Sequence, residues 1–105
     1  MNKLETKLLR RIRDSIKSIE PGADIFLFGS RARGDAKKNS DWDILILSEY
    51  ENFLKAEDEF RNEVYPIELE SGQVITLITY SKKYWDNKLS ITPLYKTILS
   101  EGIKL

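Results

Sequence analysis

The chain has 105 residues, with 17 basic and 17 acidic side chains and a formal net charge of zero, so it has no bulk electrostatic pull toward nucleic acid or an anionic membrane. It contains no cysteine and no histidine. That excludes disulfides, thiolate or imidazole metal sites, a cysteine nucleophile and serine–histidine–aspartate catalysis.

A bound metal must then be a hard cation on oxygen ligands, Mg²⁺ or Mn²⁺. The length predicts one domain over residues 1–105. A domain this small buries only about 60–65% of its unfolded surface, so a homo-oligomer or a partner would add to its stability. No signal-peptide pattern or long apolar run is present, which gives the expectation of a cytoplasmic protein with no membrane contact.

Leu4, Leu8, Ile12, Ile16 and Ile19 recur at helical spacing among charged residues and predict an amphipathic first helix, stopped by Pro21-Gly22. Asp24 to Phe28 reads as a short strand ending at Gly29. Ser30 to Ser40 is polar, its first half a helical turn. Trp42 to Leu47 is a continuous apolar run and reads as a strand buried on both faces. Tyr50 to about Tyr65 predicts a second helix, with Phe53, Leu54, Phe60 and Val64 as its apolar stripe. Pro66 to Glu70, a turn at Ser71-Gly72, and Gln73 to Tyr80 predict a hairpin. Ser81 caps a short helix carrying Tyr84 and Trp85. Thr92-Pro93 opens a last helix that Gly102 stops. The order predicts an α+β fold, a two-layer mixed sheet with flanking helices.

Two short segments carry chemistry. Asp41 and Asp43 flank Trp42 at the start of the second strand. Residues i and i+2 of a strand point to one face, so the two carboxylates project together. Two like charges so close repel unless a cation sits between them, and Mg²⁺ takes carboxylate and phosphate oxygens alike. Trp42 and Ile44 point the other way and anchor the strand. The Gly29-Ser30 turn is the second segment. Gly29 lets a backbone amide approach an anion closely, Ser30 adds a hydroxyl, and Arg31 and Arg33 supply bidentate donors for phosphate oxygens. Lys37 and Lys38 read as solvated loop charges and Asp35 as a turn residue.

Gly29-Ser30, ten residues, then Asp41-Trp42-Asp43 resembles the signature of the nucleotidyltransferase superfamily related to DNA polymerase beta. Arg31-Ala32-Arg33-Gly34 and Ser40-Asp41-Trp42-Asp43 match its small members, the minimal nucleotidyltransferases. The resemblance implies the polymerase beta-like fold. It implies that Gly29 and Ser30 contact the β and γ phosphates of a nucleoside triphosphate, most often ATP. It further implies that Asp41 and Asp43 hold two Mg²⁺ ions during in-line displacement at the α-phosphorus, with release of pyrophosphate. Small members commonly pair with a helical HEPN-type RNase toxin and act as antitoxins, some by adenylylating a toxin tyrosine, so a HEPN toxin is the implied partner.

The pattern also implies a third metal-sharing carboxylate on a later strand. Counted back from Ser81-Lys82-Lys83-Tyr84-Trp85, that place falls near Thr76. Glu68 and Glu70 are the available substitutes, with Glu68 the candidate metal ligand. A three-residue hairpin loop puts Glu68 opposite Thr76 on one face, and a two-residue loop puts it on the other. Two readings therefore stand: a Mg²⁺-dependent enzyme transferring AMP to a hydroxyl, or a catalytically weak module that binds nucleotide or a toxin. In the second, Tyr80, Tyr84, Trp85 and Tyr95 are either interface or core aromatics. Nucleic-acid binding through Arg31, Arg33, Lys37 and Lys38 is disfavoured by the zero net charge.

Overall fold

The first helix starts where it does because of a reciprocal cap. The Asn2 side chain accepts the Glu5 amide at 2.8 Å, and the Glu5 carboxylate accepts the Asn2 amide at 3.2 Å. In the computed structural model, which describes residues 1–105, α1 spans Lys3–Ile19. It buries Leu8, Leu9, Ile12 and Ile16, while Leu4 of the predicted stripe stays in solvent. The chain then forms β1 (Asp24–Phe28), a single turn of helix α2 (Ser30–Arg33), β2 (Trp42–Ser48), α3 (Phe53–Ser71), β3 (Ile75–Ser81), α4 (Lys82–Lys88), α5 (Pro93–Glu101) and β4 (Ile103–Lys104).

The four strands form one mixed sheet in the order β3-β2-β1-β4. β1 runs antiparallel to β2 and β4, and β2 runs parallel to β3. Alternation along the strands sorts two cores. Ile25, Leu27, Trp42, Ile44, Ile46, Ile75 and Leu77 pack under α1 and α3. Leu45 and Leu47 pack with Trp85 of α4 and Ile98 of α5, and Phe26, Ile78, Tyr80 and Tyr95 close around them. The mixed sheet with flanking helices is the architecture expected from the sequence, but α1 and α3 cover one face and α4 and α5 the other, so the layers number three rather than the two expected. The aromatics divide accordingly: Trp85 is buried between Tyr80 and Tyr95, with ring centroids 6.1 and 5.0 Å away, and Tyr84 lies half in solvent. No helix is long and apolar enough to cross a membrane.

The predicted hairpin at Pro66–Tyr80 is not formed. Residues 66–71 continue α3, which ends at Gly72 in the left-handed conformation (φ 70°). An internal proline removes one helical hydrogen bond and costs about 3 kcal/mol. Burial of Phe60, Val64 and, past the proline, Ile67 offsets it. Parallel β2 and β3 also require a crossover rather than a tight turn, and α3 is that crossover. Glu68 therefore lies on a helix. β3 is an edge strand, and two carboxylates of α3 cover its outward amides: Glu68 accepts from Ile75 N–H and Glu57 from Thr79 N–H, each at 3.1 Å. Capping an exposed edge in this way discourages pairing with another chain. At the opposite edge, β4 is a strand the sequence pattern does not announce; Gly102 stops α5 as expected, and two residues then pair with β1.

Candidate active site

The site is built where β1 gives way to α2. Phe28, the last residue of β1, is the register partner of Asp43 on β2, so the turn that follows passes directly over the aspartate. Gly29 adopts φ 75°, ψ −158°, a combination almost confined to glycine. A Cβ at this position would collide with Oδ2 of Asp43. The glycine is thus required twice, by its backbone angles and by the carboxylate seated against it. Its carbonyl accepts the amides of Ala32 and Arg33, which folds α2, and no side chain caps the start of that turn. Gly34 closes it in the left-handed conformation.

Asp43 is half-buried on the sheet face shared by Leu45 and Leu47, and Asp41 stands exposed one residue before the strand. Trp42, between them, points to the opposite core and is 1% exposed; its indole N–H donates to Gln73 at 3.1 Å. Burial first, and the charge of Asp41 second, push the Asp43 carboxyl above its ordinary value, while Arg33 opposes them. That opposition places the Arg33 guanidinium near the aspartate. Arg33 also pairs with Asp35 and Glu101, each at 3.2 Å, and these partners raise its own pKa further. The arrangement holds two oxygen-donor carboxylates that repel each other, a positive-φ turn in contact with one of them, and a cation whose charge reaches Asp43. A hard divalent ion fits that donor set, because its charge would relieve the repulsion that burial strengthens.

The nucleotidyltransferase domain family matches residues 9–105 of the chain. The chain belongs to that family. Solved structures agree on the fold. A toxin–antitoxin crystallised with AMP-PNP superposes with a TM-score of 0.65 at 20% identity, covering 90% of this chain and 69% of that one. The toxin–antitoxin MntA–HpeT, in a doubly mutated form, gives 0.58 at 20% identity over 99% and 72%. A structure described as a minimal nucleotidyltransferase gives 0.60 at 26% identity over 94% of both chains. No curated protein sequence matches the chain.

In this nucleotidyltransferase domain the two arginines of the turn part company. Arg33 pairs with Asp35 and Glu101, and its charge reaches Asp43. Arg31, expected beside it as a phosphate ligand, turns to the α1 side of the sheet. Its guanidinium donates to the carbonyls of Ser40 at 2.9 Å and Lys38 at 3.2 Å, lies 4.4 Å from the Trp42 ring and meets Glu5 at 3.4 Å. It holds the loop that delivers Asp41 rather than the site itself.

The third carboxylate is absent. Thr76 is the register partner of Asp43 on β3, so a threonine stands beside Asp43 where the pattern called for a carboxylate. Glu68 is engaged at the edge of β3 and Glu70 pairs with Arg11 at 2.6 Å. Nowhere do three acidic side chains gather as a metal cluster. Sequence reading missed Glu101 and Gln73, which hold Arg33 and Trp42; both contacts join segments far apart in the chain, and no local pattern marks them.

Proposed function

We propose that this domain transfers a nucleoside monophosphate, AMP from ATP, to a hydroxyl acceptor presented by a partner protein. The single observation that carries the reading is the Gly29 turn pressed against Asp43, which brings a phosphate-approachable backbone, Arg33 and two carboxylates into one site. In this reading Gly29 and Ser30 receive the terminal phosphates and Arg33 neutralises their charge. Asp41 and Asp43 hold Mg²⁺, which when bound supplies charge neutralisation at the reacting phosphate. The acceptor oxygen bonds to the α-phosphorus, the bond to the β-phosphate oxygen breaks, and pyrophosphate departs. The hydroxyl proton passes to water, because Thr76 cannot take it. The domain works where nucleoside triphosphates abound, in the cytoplasm.

The acceptor proposed is a tyrosine of a HEPN-type toxin, with the domain as its antitoxin. Support comes from the family and from the toxin–antitoxin assemblies that share the fold. The test is incubation with α-labelled ATP, Mg²⁺ and the product of any adjacent HEPN gene. Label should move to the toxin and disappear with Asp43→Asn; transfer that survives this change rejects the assignment. The threonine beside Asp43 favours a second reading, a weak catalyst that neutralises by binding. Neutralisation by the Asp41→Asn/Asp43→Asn variant would select it.

A further inference from the structure

On the sheet face opposite the carboxylates, a groove of about 640 Å³ opens between α1, the loop before β2 and the end of α3. We propose that it is a second, metal-independent binding site for a small phosphate-bearing anion.

Four cations line it, Lys7, Arg11, Arg31 and Lys38, against one lining carboxylate, Glu5. Of the four, only Arg11 and Arg31 are paired with acids. Arg31 is the most telling. Its side chain is 10% exposed; Nη2 already donates to the Lys38, Ser40 and Gln73 oxygens, its one carboxylate partner stands at 3.4 Å from Nη1, and its Nε–H is buried with nothing to accept it. A guanidinium withdrawn from water is costly unless fully paired, and its planar fork suits phosphate oxygens. The volume lies in the range of small-molecule sites. Leu8 on the wall and Leu4 at the rim, 79% exposed, offer apolar contact to the body of such a ligand.

A nucleic-acid strand fits less well. α3, packed beside α1, carries six acidic residues against two basic ones, so the positive charge is confined to the groove and forms no track for successive phosphates. The site is tied to the catalytic face. Arg31 follows Ser30 directly and holds the carbonyls of Lys38 and Ser40, so a ligand on Arg31 grips the loop that positions Asp41.

The experiment is titration of the whole chain in EDTA with inorganic pyrophosphate, and separately with AMP, followed by tryptophan fluorescence and calorimetry. Without metal the repelling aspartates cannot recruit an anion. Saturable binding is expected, weakened about tenfold or more in Lys7→Glu/Lys38→Glu and retained in Asp43→Asn. Tighter binding of AMP assigns a nucleotide, and equal binding assigns free phosphate. Lys38→Gln serves as the milder variant if the double change lowers folding. No binding in EDTA, binding abolished by Asp43→Asn but untouched by the lysine variants, or preference for a single-stranded RNA decamer would each overturn the proposal.

Discussion

Replacing Gly29 by alanine tests the central geometry, because two separable penalties meet there. The backbone angles, φ 75° and ψ −158°, cost an L-residue about 1–3 kcal/mol. The added Cβ must also displace Oδ2 of Asp43, and forced overpacking costs roughly 1–3 kcal/mol. Gly34 supplies the control: it too has positive φ, 82°, but a Cβ there meets nothing within 4 Å, so Gly34→Ala should lose only about 1–2 kcal/mol. In a domain of this size 1 kcal/mol shifts the melting temperature by roughly 4–8 °C. Circular dichroism melts at pH 7 in EDTA should therefore fall by about 5–10 °C for Gly34→Ala and by two to three times as much for Gly29→Ala. The double variant Gly29→Ala/Asp43→Ala removes the collision and should show a favourable coupling of about 1–3 kcal/mol. Equal losses at the two glycines together with zero coupling would mean that Asp43 does not sit against the turn, and the site as described would be wrong.

The Asp43 carboxyl titrates above its ordinary value of 3.8 through burial and Asp41. The folded state then holds its proton more tightly than the unfolded state, so stability is present below that value and lost as pH rises through the folded one. Asp43→Asn should accordingly raise the metal-free melting temperature at pH 7, with the gain shrinking below about pH 4; a gain constant from pH 3 to 8 would contradict the cause. Thr76→Asp sets a third carboxylate beside Asp43 and should lower the melting temperature in EDTA but raise it in excess Mg²⁺, and a calorimetric Mg²⁺ affinity no tighter than that of the parent would refute the shared face. Removing the edge caps with Glu57→Ala/Glu68→Ala should cost roughly 1–3 kcal/mol per lost bond and promote concentration-dependent self-association in sedimentation, while Glu68→Ala alone leaves Mg²⁺ affinity unchanged.

The threonine beside Asp43 and the loop clamp at Arg31 bear on the same question. In the proposed reaction, a site with two carboxylates would bind a second metal weakly and rely on the triphosphate to complete the coordination. Under those conditions the position of Asp41, the exposed member of the pair, matters more. It is fixed by Arg31 through the Lys38 and Ser40 carbonyls and by Trp42, whose indole is locked to Gln73. Mutations at Arg31 and Gln73 therefore act on the site without touching it.

Local patterns settled a great deal by themselves. Caps at Ser81 and Thr92, the stop at Gly102 and the apolar run after Trp42 are all short-range physics, and each appears where the spacing predicts. The glycine-serine turn and the acidic pair were legible for the same reason: both lie within a few residues of the chain. What tertiary packing alone decided is of longer range. Pro66 reads as a helix stop, yet burial of Ile67 on the shared core carries α3 past it, which removed Glu68 from the strand where it had been expected. Arg31 and Arg33 lie about 200° apart around one helical turn, so the sequence requires them to face opposite ways. Only the docking of α2 over Asp43 decides which one meets the carboxylates and which one holds the loop, because that choice depends on how a four-residue helix is seated against strands paired across the whole sheet.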